Sequence, residues 1–167
     1  AEAYERLTIQ APYSPGAEQA GARALRNACL GYLAEADLGV AMRQFSSADN
    51  MTDSMAALSA LAQFAAPERD HALASFLAKW QHEALVVDKW LQVQSTSRAG
   101  DTPQRVRDLL VHPAFDLKNP NKVYALIRAF CAANPKHFHA ADGSGYRYAA
   151  DAILALDGLN PQVASRT

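Results

Sequence analysis

The sequence predicts an all-α chain built from antiparallel helix pairs. Three observations carry that reading. Apolar residues recur at helical spacing from end to end, helix-starting and helix-stopping residues punctuate the chain at short intervals, and no segment sustains the period-two alternation of a half-buried strand. Half of the 167 residues are apolar and a fifth are charged, a globular composition that suits one domain over 1–167 and excludes a disordered chain.

The most regular helix is expected over 120–133. Val123, Leu126, Ile127, Phe130 and Cys131 recur there at i, i+3, i+4, i+7 and i+8, so one face should be buried. Asn119 is placed to cap it and Pro120 to take the first turn, where a missing N–H costs nothing. Similar stripes run through Leu25, Cys29, Tyr32 and Leu33, through Met55, Leu58, Leu61 and Ala62, and through Leu73, Phe76, Leu77 and Trp80. Further helices are expected around 83–94, 103–111 and 145–157. Trp80 and Trp90 are expected in the helix layers as apolar bulk rather than as a binding platform.

The breaks SSADN, AAPERD, STSRAGDT, NPKHFHAADGSG and DGLNP are short, which favours antiparallel neighbours. Pairs start roughly every 30–40 residues, the spacing of helix-pair solenoids, so the predicted architecture is a HEAT/armadillo-like superhelix. The opening without Met and the close just past Asn160-Pro161, which looks like the start of another helix, make the chain read as an excerpt of something longer.

Charge and composition narrow the partners. Sixteen basic and 17 acidic side chains leave a net charge of -1, no field for nucleic acid or an anionic membrane. The basic residues between Arg98 and Arg147 alternate with Asp101, Asp108, Asp116 and Asp142, as on a solvated surface. No stretch approaches the ~20 apolar residues of a membrane helix, and AEAYERLTIQ lacks a signal-peptide layout, so a soluble, cytoplasmic location is expected. Cys29 and Cys131 stand far apart in apolar patterns and read as buried thiols.

Candidate chemistry is sparse. His82-Glu83-Ala84-Leu85-Val86 has the first two letters of HExxH on an expected helix, but Val86 replaces the second imidazole that zinc would need. His82 and Glu83 are therefore read as surface residues, with Leu85, Val86 and Trp90 facing the core. His137 and His139 could chelate a metal from a loop, yet only Asp142 is near enough in sequence to complete a set, so loop packing is preferred. Asp142-Gly143-Ser144-Gly145 has the glycines of a phosphate cradle, but no P-loop lysine follows and Tyr148 stands where a dinucleotide fingerprint has its third glycine. A turn leading into a helix cap at Asp142 or Ser144 accounts for the same residues.

Long strings then carry a resemblance. HPAFDLKNPNKVYALIRAFCAANPKHFHAADGSGYRY at 112–148 and NPQVASR at 160–166, with RALRNACLGYL, NMTDSMAALSAL and ALVVDKWLQVQ upstream, resemble the aminopeptidase N family of zinc metallopeptidases. The resemblance implies a parent enzyme that removes single residues from peptide N-termini, with zinc held by a HExxH helix and a further glutamate. That apparatus and the family's GAMEN substrate-amine motif are absent here, so no catalytic residue and no cofactor is assigned to this chain. What matches is the C-terminal helical superhelix, which in the family encloses the active-site cavity. The implied partners are the catalytic domain of the same parent chain and the peptides bound there.

The NPQVASR string has its family counterpart beside that cavity, which singles out Gln162 and Arg166 as cavity-lining candidates. At i and i+4 they project from one face, leaving Val163 and Ala164 to pack. An arginine so placed can take a peptide carboxylate through a two-pronged hydrogen bond, and a glutamine amide can bond a peptide backbone group. A different class of function, an independent helical-repeat adaptor binding a partner protein along its concave face, fits the same periodicity.

Overall fold

The computed structural model describes residues 1–167, and every element is helical: α1 (Glu2–Arg6), α2 (Ala17–Ala34), α3 (Leu38–Ser47), α4 (Met51–Leu61), α5 (Pro67–Trp80), α6 (Ala84–Ser95), α7 (Thr102–Leu109), α8 (Pro120–Val123), a π-helical turn (Tyr124–Arg128), α9 (Ala129–Ala133), α10 (Pro135–Phe138), α11 (Ser144–Asp157) and α12 (Pro161–Ala164). Side-chain caps explain many of the starts. Asp37, Asn50, Asn119, Asn134 and Asn160 each accept a hydrogen bond from a backbone N–H in the first turn they precede, and proline follows the last three. No helix is long and apolar enough to cross a membrane.

The chain divides into two compact units, Ala1–Leu73 and Ala74–Thr167, with the boundary inside α5. In the first, α2 packs with α3 and α4 around Leu30, Ala41, Leu58 and Leu61, all fully buried. Beside them lies a polar network centred on Gln44. Its Oε1 accepts from Tyr4 Oη (2.8 Å) and Arg26 Nη1 (2.9 Å), while its Nε2 donates to Asn27 Oδ1 (2.7 Å) and the Asp53 carbonyl (3.1 Å). Asn27 donates in turn to Asp53 Oδ1. Each of these side chains is bonded to at least one other group of the network, which ties α1, α2, α3 and α4 together, although Arg26 Nε stays buried without a partner.

That network corrects the predicted stripe on α2. Leu25 and Tyr32 were expected inside, yet they are 56% and 83% exposed, while Arg23, Leu30 and Ala34 are the buried positions. Part of the inward face is polar because it serves Gln44 and Asp53, and a purely apolar reading therefore chose the wrong phase. The α4 and α5 stripes are oriented as expected: Leu58, Leu61, Ala62, Leu73 and Phe76 are buried.

In the second unit α6 packs along the 120–133 segment, with Leu91, Val106, Leu126, Ile127 and Leu156 at the centre. Val123, Leu126, Ile127 and Phe130 are buried as the stripe predicts, and Cys131 is only half-buried. The segment is not one uniform α-helix, because Tyr124–Arg128 widens into a π turn. Ser95 Oγ, itself fully buried, supplies a donor to the Ala125 carbonyl inside that turn (3.2 Å). Ahead of it, Lys122 Nζ lies 2.7 Å from Asp88 Oδ1 and donates to the Ala84 carbonyl (3.1 Å), an ion pair with both side chains largely shielded. Removing one partner of such a pair strands the other charge.

Asn134 is the clearest single clamp in this unit. It is 1% exposed, its Nδ2 donates to the carbonyls of Ser95 and Ser97 (2.8 Å each), and its Oδ1 accepts from His137 N. One side chain thus ties the end of α6 to the start of α10. Trp90 is buried and packs on His112, whereas Trp80 is half-buried. Leu85 was expected in the core but is 69% exposed, and Val86 is half-buried; Val87 and Trp90 set the inward face of α6 instead.

Candidate functional site

The two residues singled out from sequence lie on and just after α12. Gly158 and Leu159 turn the chain so that the Leu156 carbonyl accepts from both Leu159 N (2.9 Å) and Asn160 N (2.7 Å). Asn160 Oδ1 then caps Val163 N (3.1 Å), and Pro161 opens the helix. Val163 and Ala164 are buried against α11, which leaves Gln162 and Arg166 exposed to solvent. Neither polar side chain is held by another group of the chain. Past Ser165 the hydrogen bonding tightens, with Arg166 N on the Val163 carbonyl and Thr167 N on that of Ala164. Gln162 and Arg166 are therefore not separated by a regular α-turn, although both face outward.

The remaining candidates disperse. His82 and Glu83 lie in the turn between α5 and α6 rather than on a helix, since α6 begins at Ala84. His137 sits in α10, not in a loop, with its backbone N–H on Asn134, while His139 at the end of that helix faces Tyr146, Nδ1 to Oη 2.6 Å. No group of three or more His, Cys, Asp or Glu side chains is close enough to hold a metal ion. Burial pushes the Cys131 thiol up to about 11, which disfavours the thiolate form.

The Asp142-Gly143-Ser144-Gly145 turn is structural. Asp142 Oδ1 accepts from Ser144 N (2.9 Å), which holds its carboxyl below the usual range, and Gly143 takes the left-handed conformation at φ 71°. Gly145 is there for space. A Cβ on it would fall 2.6 Å from Phe138 Cα and closer still to the Phe138 carbonyl oxygen. α10 and α11 thus touch backbone to backbone where a phosphate cradle would need room.

Residues 1–167 match the family described as "Domain of unknown function (DUF3458_C) ARM repeats". The chain belongs to the DUF3458_C ARM-repeat family. It is similar to the aminopeptidase N of Escherichia coli (strain K12), 44% identical over 161 residues that cover 94% of this chain and 18% of that protein. The aminopeptidase N of Haemophilus influenzae (strain Rd) is 42% identical over 146 residues, 86% of this chain and 17% of that one. Among solved structures, a crystal structure of Legionella pneumophila aminopeptidase A in complex with aspartic acid superposes with a TM-score of 0.88 at 35% identity, over 98% of this chain and 20% of that one. The chain spans about a fifth of the length of these relatives. It matches the C-terminal helical domain of aminopeptidase N.

Val86 occupies the position that a second histidine holds in HExxH, and His82 and Glu83 lie in the turn before α6 rather than on a helix. Two features were missed from sequence. The Gln44 network has no motif, because its members come from four helices. Tyr148, noted only as the missing third glycine, is buried and lines a cavity.

Proposed function

We propose that this chain acts as the non-catalytic C-terminal domain of an aminopeptidase N type zinc metallopeptidase, enclosing the active-site cavity of its parent and limiting access to it. The parent would be a cytoplasmic hydrolase that removes N-terminal residues from peptides, its zinc held by a catalytic domain elsewhere in the same chain. The observation that carries this reading is α12: its apolar side is anchored by Val163 and Ala164, while Gln162 and Arg166 stand free with their donors and acceptors unused. The similarity to aminopeptidase N over nearly the whole chain supports it. A guanidinium so placed suits the carboxylate end of a short peptide, which it can grip through two parallel hydrogen bonds.

The test is substrate-dependent kinetics in the intact enzyme. Arg166→Ala should lower kcat/KM for dipeptides and tripeptides by roughly 10-fold or more, the loss expected for a charge-assisted hydrogen bond. Turnover of an amino-acid amide, which has no such carboxylate, should change by no more than about 2-fold on the same reasoning. Equal losses on both substrates would remove Arg166 from carboxylate binding.

A further inference from the structure

The outer face of α2 carries no charge. Between Glu18 and Glu35 the exposed positions of this helix hold only alanine, glycine, Leu25 and Tyr32. Gly21, Leu25, Ala28 and Tyr32 recur at i, i+4, i+7 and i+11, one straight stripe about 17 Å long, with Ala24 and Gly31 beside it. The amide and guanidinium side chains of the same stretch are turned elsewhere. Gln19 and Arg23 hold the Ser14 backbone, while Arg26 and Asn27 serve the Gln44 network. A helix that faces water presents its charged residues outward, so this arrangement is the reverse of a solvated surface. Contiguous apolar exposure of that kind marks a contact face.

Two glycines on this helix have no use within the chain. Gly21 and Gly31 sit inside α2, where glycine weakens a helix relative to alanine. A Cβ built on either meets nothing within 4 Å, and neither has a positive φ. Small residues along a helix face let a second backbone approach closely, and larger ones beside them act as ridges that seat in the partner's grooves. Leu25 and Tyr32 are the ridges here, 56% and 83% exposed. α3 and α4 already occupy the opposite face, where Arg23, Leu30 and Ala34 are buried.

We propose that the outer face of α2 docks an α-helix from an adjoining ARM repeat of the parent chain, with apolar side chains of that helix lying over Ala24, Ala28 and Gly31 while Leu25 and Tyr32 enter its grooves. Family and length select this occupant. All of residues 1–167 match an ARM-repeat family, and in such arrays each unit buries its apolar faces against the units on either side. The chain spans about a fifth of its aminopeptidase relatives, so a parent of their length has further segments to supply the helix. The face has no charge to recruit an acidic or basic partner, and a straight stripe of this spacing suits a helix laid along it. The inference rests on the reading that this chain is one domain of a longer parent, and it is separate from the role given to α12.

Hydroxyl-radical oxidation of the intact protein reads Tyr32 directly. Its ring should be oxidised about 10-fold more slowly in the native protein than in urea, the drop expected when a side chain 83% exposed on this chain becomes covered. Rates within about 2-fold of each other would show a bare Tyr32 and overturn the proposal. Illumination of the intact protein with p-azidophenylalanine in place of Tyr32 should cross-link it, within one chain, to a helical segment outside residues 1–167. Cross-links only to a second copy, which doubles the mass, or only within residues 1–167 would overturn the proposal as well. Ala28→Arg places a good helix former at an exposed position, yet it should lower the Tm of the intact protein by about 5 °C or more, against about 1 °C for Ala28→Ser. Equal Tm values for the two variants would mean that the face is solvated. Zinc-dependent turnover of an amino-acid amide by the same preparation reports the parent reading separately: an active enzyme with a bare Tyr32 loses this inference and keeps that reading, and an inert protein with a protected Tyr32 does the reverse.

Discussion

Asn134→Ala is expected to lower the unfolding free energy of the chain by about 3 kcal/mol or more, since each buried group left unbonded costs about 1–3 kcal/mol. Two carbonyls, those of Ser95 and Ser97, lose their shared donor, and both residues are almost wholly buried. The α10 start loses its cap as well, which adds about 1 kcal/mol. Asn134→Asp separates the donor role from the acceptor role. Aspartate has the same shape and can still accept from His137 N, but it cannot donate to either carbonyl and brings a negative charge against both oxygens. It should be at least as damaging as alanine. Urea titration measures both variants, and a loss below about 1 kcal/mol for alanine would mean the two carbonyls find other donors.

Gly145→Ala should be comparably severe, about 3 kcal/mol, at the upper end of overpacking costs because the obstruction is backbone and no rotamer relieves it. The added methyl would meet the Phe138 main chain, so α10 would have to separate from α11 and pull Phe138 away from Phe130 and Tyr146. Gly31→Ala is the matched control. Gly31 is inside α2 with nothing within 4 Å of a built Cβ, so alanine there should stabilise by up to about 1 kcal/mol through helix propensity alone. Opposite signs for the two substitutions, read from the same urea titrations, are the expected pattern. A neutral Gly145→Ala would show that the α10–α11 junction yields easily.

What could be read in the sequence depended on whether a residue's role was local. Caps and first-turn prolines were legible at Asn119-Pro120 and Asn160-Pro161, because the bond runs only two or three residues along the chain. The 120–133 core face was legible because Val123, Leu126, Ile127 and Phe130 are buried by the same periodicity that reveals them. The π turn was not, since nothing in Tyr-Ala-Leu-Ile-Arg forbids an α-helix and its support comes from Ser95, about 30 residues away. The α2 phase failed for a related reason: its inward face is shared with a polar network whose members, from Tyr4 to Asp53, meet only in the fold. Leu85 failed differently, as an apolar residue left on the outer side of a helix whose inward face is Val87 and Trp90. Gln162 and Arg166 were singled out by resemblance, and chain geometry adds only that both are exposed and unbonded.

Turnover tests most directly the proposal that this chain is a non-catalytic part of a zinc aminopeptidase. The purified 167-residue chain and the intact protein should be assayed on one amino-acid amide, each with and without added Zn²⁺. The expected result is zinc-dependent release of the amino acid by the intact protein and none by the isolated chain, whose side chains do not assemble a metal-holding group. Zinc-dependent turnover by the isolated chain, or an intact protein inert with zinc, would contradict it.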